Sequence, residues 1–480
     1  MLLIVIFTDF QKPSLRIREI GSRFLQEHFI TVNKGFQPSE FSTHGKHIHF
    51  YKGVVLLAVF NFFAETLPTL MLIAAGVIFT VRLKFFQFRP VRLTFAAIKS
   101  SVKEGNRNIF SYFSTSLAGA VGTGNIIGVA TAITIGGPGA IFWMWCAGLL
   151  GMATKYAEVF LAGKNSLFCK NGNFSPMSYI RKAFGNGLFP EIFAFFGLAS
   201  AFTMGNMLQS NTASLCLSDT LPRLHPGIFG AVIGIVVLCV TVGGLKRITS
   251  VFEKSIPFMT VIFILLGLFC CIKNARVIPG VFRIIFRSAF NPGAAAGGIA
   301  GVTFMTCLRT GAVKGLMSNE AGMGSAGFAY ANANGASPGL QGLWGALDVF
   351  TDTIVLSTVT ALIIMTCPLF PAAVPSVLDA STYSFGPAAA VAVTVCVFFF
   401  AVASVITWSY YGESCFSFLT NGEFILVYRI VFAAFAVLGS ISSPMSVWNI
   451  AEAANAGMLY TNLPALFALR KDVHLYREDR

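Results

Sequence analysis

The sequence predicts an all-α polytopic membrane protein of about eleven transmembrane helices, two of them broken, arranged as a 5+5 inverted repeat plus one extra N-terminal helix. Three observations predict it. The 480-residue chain is 55% hydrophobic and only 11% charged, where a soluble protein carries about 25% charged residues, so it cannot coat a water-facing surface. Apolar stretches able to cross a bilayer as helices of roughly 20 residues recur between residues 66 and 469. Two of these stretches carry the same flaw, Gly122-Thr123-Gly124-Asn125 and Gly322-Met323-Gly324-Ser325. Glycine costs about 1 kcal/mol against alanine inside a helix. Within hydrocarbon, freed N–H and C=O groups are tolerated only when buried in protein or lining a wet cavity. Matched interruptions in two halves point to a binding site at the midplane between repeats. The competing reading is that the glycines only let helices pack closely.

Residues 1–53 form a polar tail of mixed charge. His44, His47 and His49 cluster there, but no closed ligand set is apparent, and the tail reads as flexible or interfacial. Residues 54–83 hold the extra helix, with an apolar approach over 54–63 and a span over 66–81. The loop that follows is basic (Arg82, Lys84, Arg89, Arg92, Lys99, Lys103, Arg107). The positive-inside rule places it in the cytoplasm and the N-terminus outside.

The first repeat covers 111–275. Its broken helix over 111–134 ends at Gly136-Gly137-Pro138-Gly139, a sharp punctuation. Spans follow over 140–162, 192–215, 227–242 and 257–272, with Trp143 and Trp145 as expected interface anchors. Lys164, Lys170, Arg181 and Lys182, then Lys246, Arg247 and Lys254, mark inner loops. The basic stretch over 273–287 falls outside, against the charge rule, and reads as an ordered external segment. The second repeat covers 288–470, with a broken helix over 298–331 and spans over 343–367, 388–411, 425–439 and 446–469. Residues 471–480 form a basic cytoplasmic tail. Without the first span, ten remain as five plus five, each five opening on a broken helix. An odd number per repeat forces the two into opposite orientations.

The formal net charge of +14 resides in loops between apolar spans, which suits anionic lipid headgroups rather than nucleic acid. Ten cysteines, mostly inside spans and without a CxxC pair, read as buried hydrophobes. GAVGTGN is not G-x-G-x-x-G and no GxxxxGK[ST] occurs, which argues against ATP-driven pumping. His28, His44, His47, His49, His225 and His474 all lie outside the spans, which argues against an intramembrane enzyme.

Over residues 66–470 the stretches SLAGAVGTGNIIGVATAI, GGPGAIFWMW, MATKYAE, MSNEAGMGSA, FTDT and WSYYGE resemble, in order, the alanine/glycine:cation symporter family, amino-acid carriers of the leucine-transporter fold. The resemblance implies a plasma-membrane carrier that imports alanine or glycine with Na+ by alternating access, without a cofactor; a monomer is one expectation, and the sequence does not decide the oligomeric state. Proton coupling, or a channel or sensor on the same fold, are the alternatives.

A zwitterionic amino acid needs partners for both ends. Its carboxylate suits backbone N–H groups at the positive end of a half-helix, which Gly122, Thr123 and Gly124 supply. Its ammonium suits carbonyls around Gly322, Met323 and Gly324. Sodium suits hard oxygen ligands. The resemblance implies a pocket restricted to hydrogen or methyl side chains. It also places the carbonyls of Ala118 and Val121 with the Ser404 hydroxyl at one cation site, and turns Gln209 toward substrate. The family carries two adjacent hydroxyls where this chain reads Ala403-Ser404, one fewer. Asn125 is either a ligand of a second cation or a helix cap. Gln209 and Asn211, amides inside an apolar span, face the interior. For Gln209 the bland alternative is an interhelical hydrogen bond. Lys155 and Glu158 are spaced to pair on one helix face, and Asp348 and Asp352 share another. Glu320 is either a gating group or a structural partner of Arg309 or Lys314.

Overall fold

Every regular element among the described residues is helical, as a solvent without hydrogen bonds demands. The computed structural model describes residues 62–103, 108–165, 176–242, 244–291, 303–333, 335–370 and 374–476. The polar tail, its histidines and the approach over 54–61 lie outside the described residues. Helix α1, Leu67–Arg82, forms where the first span is expected. The basic segment after it is not simply a loop: Pro90–Lys103 forms helix α2.

The first interrupted helix is α3, Ile109–Ala120, followed by α4, Ile127–Gly136. Helix α5, Ala140–Lys164, packs beside them, and the short α6, Met177–Phe184, follows. Helix α7, Leu188–Phe202, runs through a π-turn, Thr203–Leu208, into α8, Gln209–Thr220. Helix α9 is Pro226–Thr241. Helix α10, Gly244–Lys273, carries Pro257 in its interior, so Lys246, Arg247 and Lys254 belong to its first turns rather than to a loop. Proline forfeits one helical hydrogen bond, and the helix continues through it.

The basic stretch expected on the outside forms helix α11, Ile278–Phe290. The second interrupted helix is α12, Phe304–Asn319, followed by α13, Ser325–Tyr330. Helix α14, Pro338–Val349, runs through a second π-turn, Phe350–Leu356, into α15, Ser357–Met365. Then come the short α16, Val377–Phe385, and α17, Pro387–Thr420, α18, Ile425–Ile441, and α19, Pro444–Ala468. Element order is thus the same in both halves: a broken helix, a helix, a short helix, then three more. Among the described residues, four helices suffice by length and composition to cross a membrane: Leu188–Thr220, Arg247–Lys273, Pro338–Met365 and Ala388–Thr420.

Polar contacts between helices fix the frame. Trp143 Nε1 donates to the Ala289 carbonyl at 3.1 Å and Trp145 Nε1 to Thr358 Oγ1 at 2.8 Å. Both indoles therefore lock helices together, where sequence pointed to interface anchors. Asn206 Nδ2 donates to the Phe432 carbonyl at 2.6 Å, and Asn211 Nδ2 to the carbonyls of Gly439 and Ser442 at 2.9 and 2.8 Å. Asn211 thus ties α8 to the end of α18. The C-terminal segment straps several helix ends together. Arg82 donates to the carbonyls of Val473 and Lys471, Tyr156 to that of His474, and Lys182 pairs with Asp472 at 2.9 Å. The Lys182 hydrogen bond holds the Asp472 carboxyl below its ordinary range. That contact is present at neutral pH and is lost only as acid protonates Asp472.

Helix α18 approaches the first π-turn closely enough to forbid a side chain. A Cβ on Gly439 would stand 2.5 Å from Met207 Cα and 2.6 Å from its carbonyl oxygen, backbone that cannot yield. Gly439→Ala is expected to destabilise by about 1–3 kcal/mol through overpacking, read as a lower Tm of the purified protein. An unchanged Tm would show that the two elements are not in such contact.

Candidate functional site

The first break is a change of backbone course between α3 and α4. Val121 leaves the helix with φ −72° and ψ 88°, and Thr123–Asn125 form a 3₁₀ turn. The Thr123 side chain lies outside the described residues. At Gly122 an added Cβ would meet Gln209 Oε1 at 2.6 Å and Ser404 Oγ at 2.8 Å, so only glycine allows this approach. At Gly124 the nearest such contact is Ser318 Cα at 3.8 Å. Gly124 instead borders a cavity of about 20 Å³ with Gln209, Met204, Leu208, Lys314, Met317 and Trp448, room for about one water. Gln209 thus stands at the hollow, beside Gly122.

Oxygen atoms gather on two sides of this turn. Ser404 Oγ donates to the carbonyls of Ala118 at 2.9 Å and Gly119 at 3.1 Å, so Ala118 and Ser404 meet. Val121 follows them in the chain, its amide still bonded to the Leu117 carbonyl at 2.7 Å. On the other side Asn125 Nδ2 donates to Asp352 Oδ1, and Ser318 Oγ to Asn125 Oδ1. Ser318 Oγ also reaches Asp352 Oδ2 at 2.9 Å, as does Thr353 Oγ1, and Ser357 Oγ lies 3.3 Å from Asn125 Oδ1. Asn125 and Asp352 are 2% and 0% exposed. Helix α4 has no side-chain cap, so Asn125 is not the cap that one reading of its type allowed.

The second break turns through Glu320, Gly322 and Gly324, at φ 55°, 85° and 85°. Here the loosened backbone already has partners. Gly322 N–H donates to Glu158 Oε2 at 2.9 Å, and Asn462 Nδ2 donates to the Gly322 carbonyl at 2.7 Å. Lys155 Nζ donates to the Asn319 carbonyl at 2.9 Å and lies 3.9 Å from Asp348 Oδ2, which accepts from Ser116 Oγ at 2.5 Å. Glu320 accepts from Trp408 Nε1 at 3.1 Å and Ser325 Oγ at 2.6 Å. Its sequence-expected partner Lys314 pairs instead with Glu452, at 3.6 Å. Gly322 and Gly324 face Leu72, Leu463 and Phe193, and Met323 borders a separate cavity beside α1. The structure therefore does not bring Gly322, Met323 and Gly324 to the hollow at Gly124. Lys314, Met317 and Ser318, just before the second break, line it instead.

Sequence reasoning did not join Asp352 to Asn125, nor notice Ser318, Trp448 or Glu452. A signal existed for the last two: an aromatic and an acid one helical turn apart in an apolar span.

Two interrupted helices flank a small hollow in which Gln209, Lys314 and Ser318 stand among Met204, Leu208, Met317 and Trp448. The solved structure of MhsT in complex with L-phenylalanine shares the fold, aligning at a TM-score of 0.55 and 15% identity, over 75% of this chain and 88% of that one. The chain belongs to the sodium:alanine symporter family, matched over residues 52–479. It is therefore a multi-pass membrane transporter and not an enzyme. The sodium/alanine symporter AgcS of Methanococcus maripaludis is 39% identical over 83% of this chain and 90% of its own length. The probable sodium/glutamine symporter GlnT of Bacillus subtilis is 35% identical over 85% and 86%.

The hollow gives two expectations for radiolabelled alanine uptake into proteoliposomes. Gly124→Leu should fill it and abolish uptake while the protein still inserts and melts normally. Gly122→Ala should displace the Gln209 amide and raise KM roughly tenfold, about 1.4 kcal/mol of lost binding. Normal uptake by Gly124→Leu would remove the hollow from the substrate route.

Proposed function

We propose that this chain is a sodium-coupled symporter that imports small neutral amino acids, alanine or glycine, across the plasma membrane. The observation that carries the reading is the hollow at Gly124. A carboxylate seated on the amides of Gly122, Thr123 and Gly124 would have its side chain hemmed by Met204, Leu208, Met317 and Trp448. A cavity of about 20 Å³ must widen even for alanine and favours it over glutamine, the substrate in the Bacillus relative's name. In this reading residues 54–83 carry the extra helix. Residues 111–275 and 288–470 are five-span inverted repeats, with the N-terminus outside and the C-terminus in the cytoplasm.

Two ion positions follow from the oxygen clusters. One uses the carbonyls of Ala118, Gly119 and Val121 with the Ser404 hydroxyl. The other uses Asn125, Asp352, Ser318, Thr353 and Ser357. All are hard oxygens suited to an alkali cation. A buried carboxylate without a counter-charge carries a desolvation penalty of several kcal/mol, so Asp352 favours a cation beside it. Its ligands come from the first break, the end of α12 and the second π-turn. Sodium would draw these three elements together, and an ion that favours the closed arrangement shifts the protein toward it. A proton on Asp352 is the competing occupant.

Alanine uptake measured against external sodium separates these. Ser404→Ala should raise the half-saturating sodium concentration several-fold. Asp352→Asn should weaken sodium dependence further, by on the order of 100-fold if the ion loses its only carboxylate ligand. Uptake driven by an imposed proton gradient with no sodium present would replace sodium by the proton. An unaltered sodium curve for Ser404→Ala would take that residue out of the ion site.

A further inference from the structure

Helix α2 presents an apolar stripe and a basic stripe side by side. It has 14 residues, about 21 Å at 1.5 Å each, too short for the ~30 Å hydrocarbon layer. Lys84 and Phe85, both at φ 57°, turn the chain away from the end of α1 toward it. Phe95, Ile98 and Val102, three and four positions apart, share one exposed face, with Phe95 at 70% and Val102 at 71%. Phe85 and Phe88 of the preceding turn are exposed as well, their ring centres 6.2 Å apart. Arg92, Lys99 and Lys103 line the adjoining face and are exposed, as are Lys84 and Arg89. Ala97, Ser100 and Ser101 are buried on the opposite face. From Arg82 to Lys103 the chain holds six basic residues and no acid; the nearest acids in sequence are Glu65 and Glu104. A basic helix with an exposed apolar flank suits a membrane interface.

The buried side of α2 leads to the first break. Trp344 Nε1 of α14 donates to Ser101 Oγ at 2.9 Å, and Ser101 Oγ donates to the Ala97 carbonyl at 2.7 Å. The Trp344 ring also packs on α3, its centre 5.0 Å from that of Phe113 and 5.9 Å from that of Phe110. Helix α3 is the first half of the interrupted helix, and α14 leads into the π-turn that holds Asp352. One indole therefore joins the amphipathic helix to both.

We infer that α2 and the turn before it are a docking surface for anionic phospholipid, and that its occupancy reaches the first broken helix through Trp344. Headgroup phosphates meet the basic stripe while acyl chains cover Phe95, Ile98 and Val102. The two attractions add, since interfacial binding grows with buried apolar area and with the charge facing anionic lipid. A zwitterionic lipid lacks the net charge and free phosphate lacks the apolar half, so neither satisfies both stripes. Bound lipid holds α2 at one depth and tilt, and the Ser101–Trp344 hydrogen bond passes that placement to α3 and α14. The docking surface stands apart from the amino-acid reading of the hollow; only the uptake measurement below rests on it.

The test titrates the full chain in neutral detergent with phosphatidylglycerol, phosphatidylcholine or inorganic phosphate and reads Tm. Phosphatidylglycerol alone should raise it. Arg89→Gln with Arg92→Gln should raise the phosphatidylglycerol concentration required, roughly fivefold for each charge removed, and Phe95→Ser should raise it too. Arg283→Gln with Arg287→Gln, exposed arginines of α11, should leave the titration as in the wild type. Unshifted titrations in the α2 variants, an equal shift in the α11 pair, or a rise produced by phosphate alone would overturn the docking surface. Should the glutamine pair not insert, Arg89→Lys with Arg92→Lys keeps the charges and must keep the titration; its loss would equally overturn the surface. The link through Trp344 is read from alanine uptake in vesicles of phosphatidylcholine with and without phosphatidylglycerol, which should speed uptake several-fold. Trp344→Phe keeps a ring against Phe113 but loses the N–H donor. It should keep the Tm titration and lose the dependence of uptake on lipid; a retained dependence would overturn the link. A wild type without alanine uptake in either vesicle would defeat the function proposed above. Hydrogen exchange over residues 109–120, compared between the two lipids, then decides the link: slowing by phosphatidylglycerol in the wild type but not in Trp344→Phe supports it, and any other pattern overturns it.

Discussion

Hydrocarbon offers a peptide group no hydrogen bond, and the structure is shaped around that fact. A helix may be broken there only where something else takes up the released N–H and C=O groups. The two breaks meet this demand in opposite ways. At Gly322 the protein itself supplies the partners, a carboxylate from Glu158 and an amide from Asn462. At Gly124 the backbone borders a space with room for about one water. Similar sequence flaws therefore have different consequences. One break is a clamped bend and the other borders an open space.

The clamp explains why α5 carries charge through its middle. Lys155 and Glu158 both reach the second broken helix, one at the Asn319 carbonyl and one at the Gly322 amide. A helix end exposes partial negative charge at its carbonyls and partial positive charge at its amides. The lysine meets the C-terminal end of α12 and the glutamate meets the amides of the turn that follows. The charges are thus matched to dipoles as well as to the Asp348 carboxylate. Such a cluster is costly to dismantle, because removing one member leaves another buried and unpaired.

Much of this was legible in the sequence. The helical breaks at Gly122 and Gly322 follow from glycine spacing and the succession of apolar helices from apolar periodicity, which are local properties, whereas the orientation expected of Gln209 came from the family resemblance. What stayed hidden depends on distant partners. Asn125 could be called a ligand or a cap from its type alone; its bond to Asp352, more than two hundred positions away, is not visible in that type. Lys314 offered Glu320 as the nearer acid, yet the turn at Glu320 aims that carboxylate at Trp408, leaving Lys314 to α19. The start of α10 was misplaced because Lys246, Arg247 and Lys254 look like loop residues, although long basic side chains tolerate a helix end near the headgroups. Trp143 and Trp145 fitted an interface by composition, but each indole finds a donor's partner inside the protein.

Ion and substrate need not touch for one to govern the other. Ser318 illustrates why. Its hydroxyl bonds Asn125 and Asp352, while its own backbone borders the hollow at Gly124. Any cation that settles among those oxygens fixes the distance between the first break and α12. That distance sets the width of the hollow, because Gly124 is on one wall and Lys314, Met317 and Ser318 are on the other. A linkage of this kind is reciprocal: an occupant that holds the walls at one spacing must also favour the ion. Coupling then requires no long relay through the bundle, only a shared wall one helical turn deep.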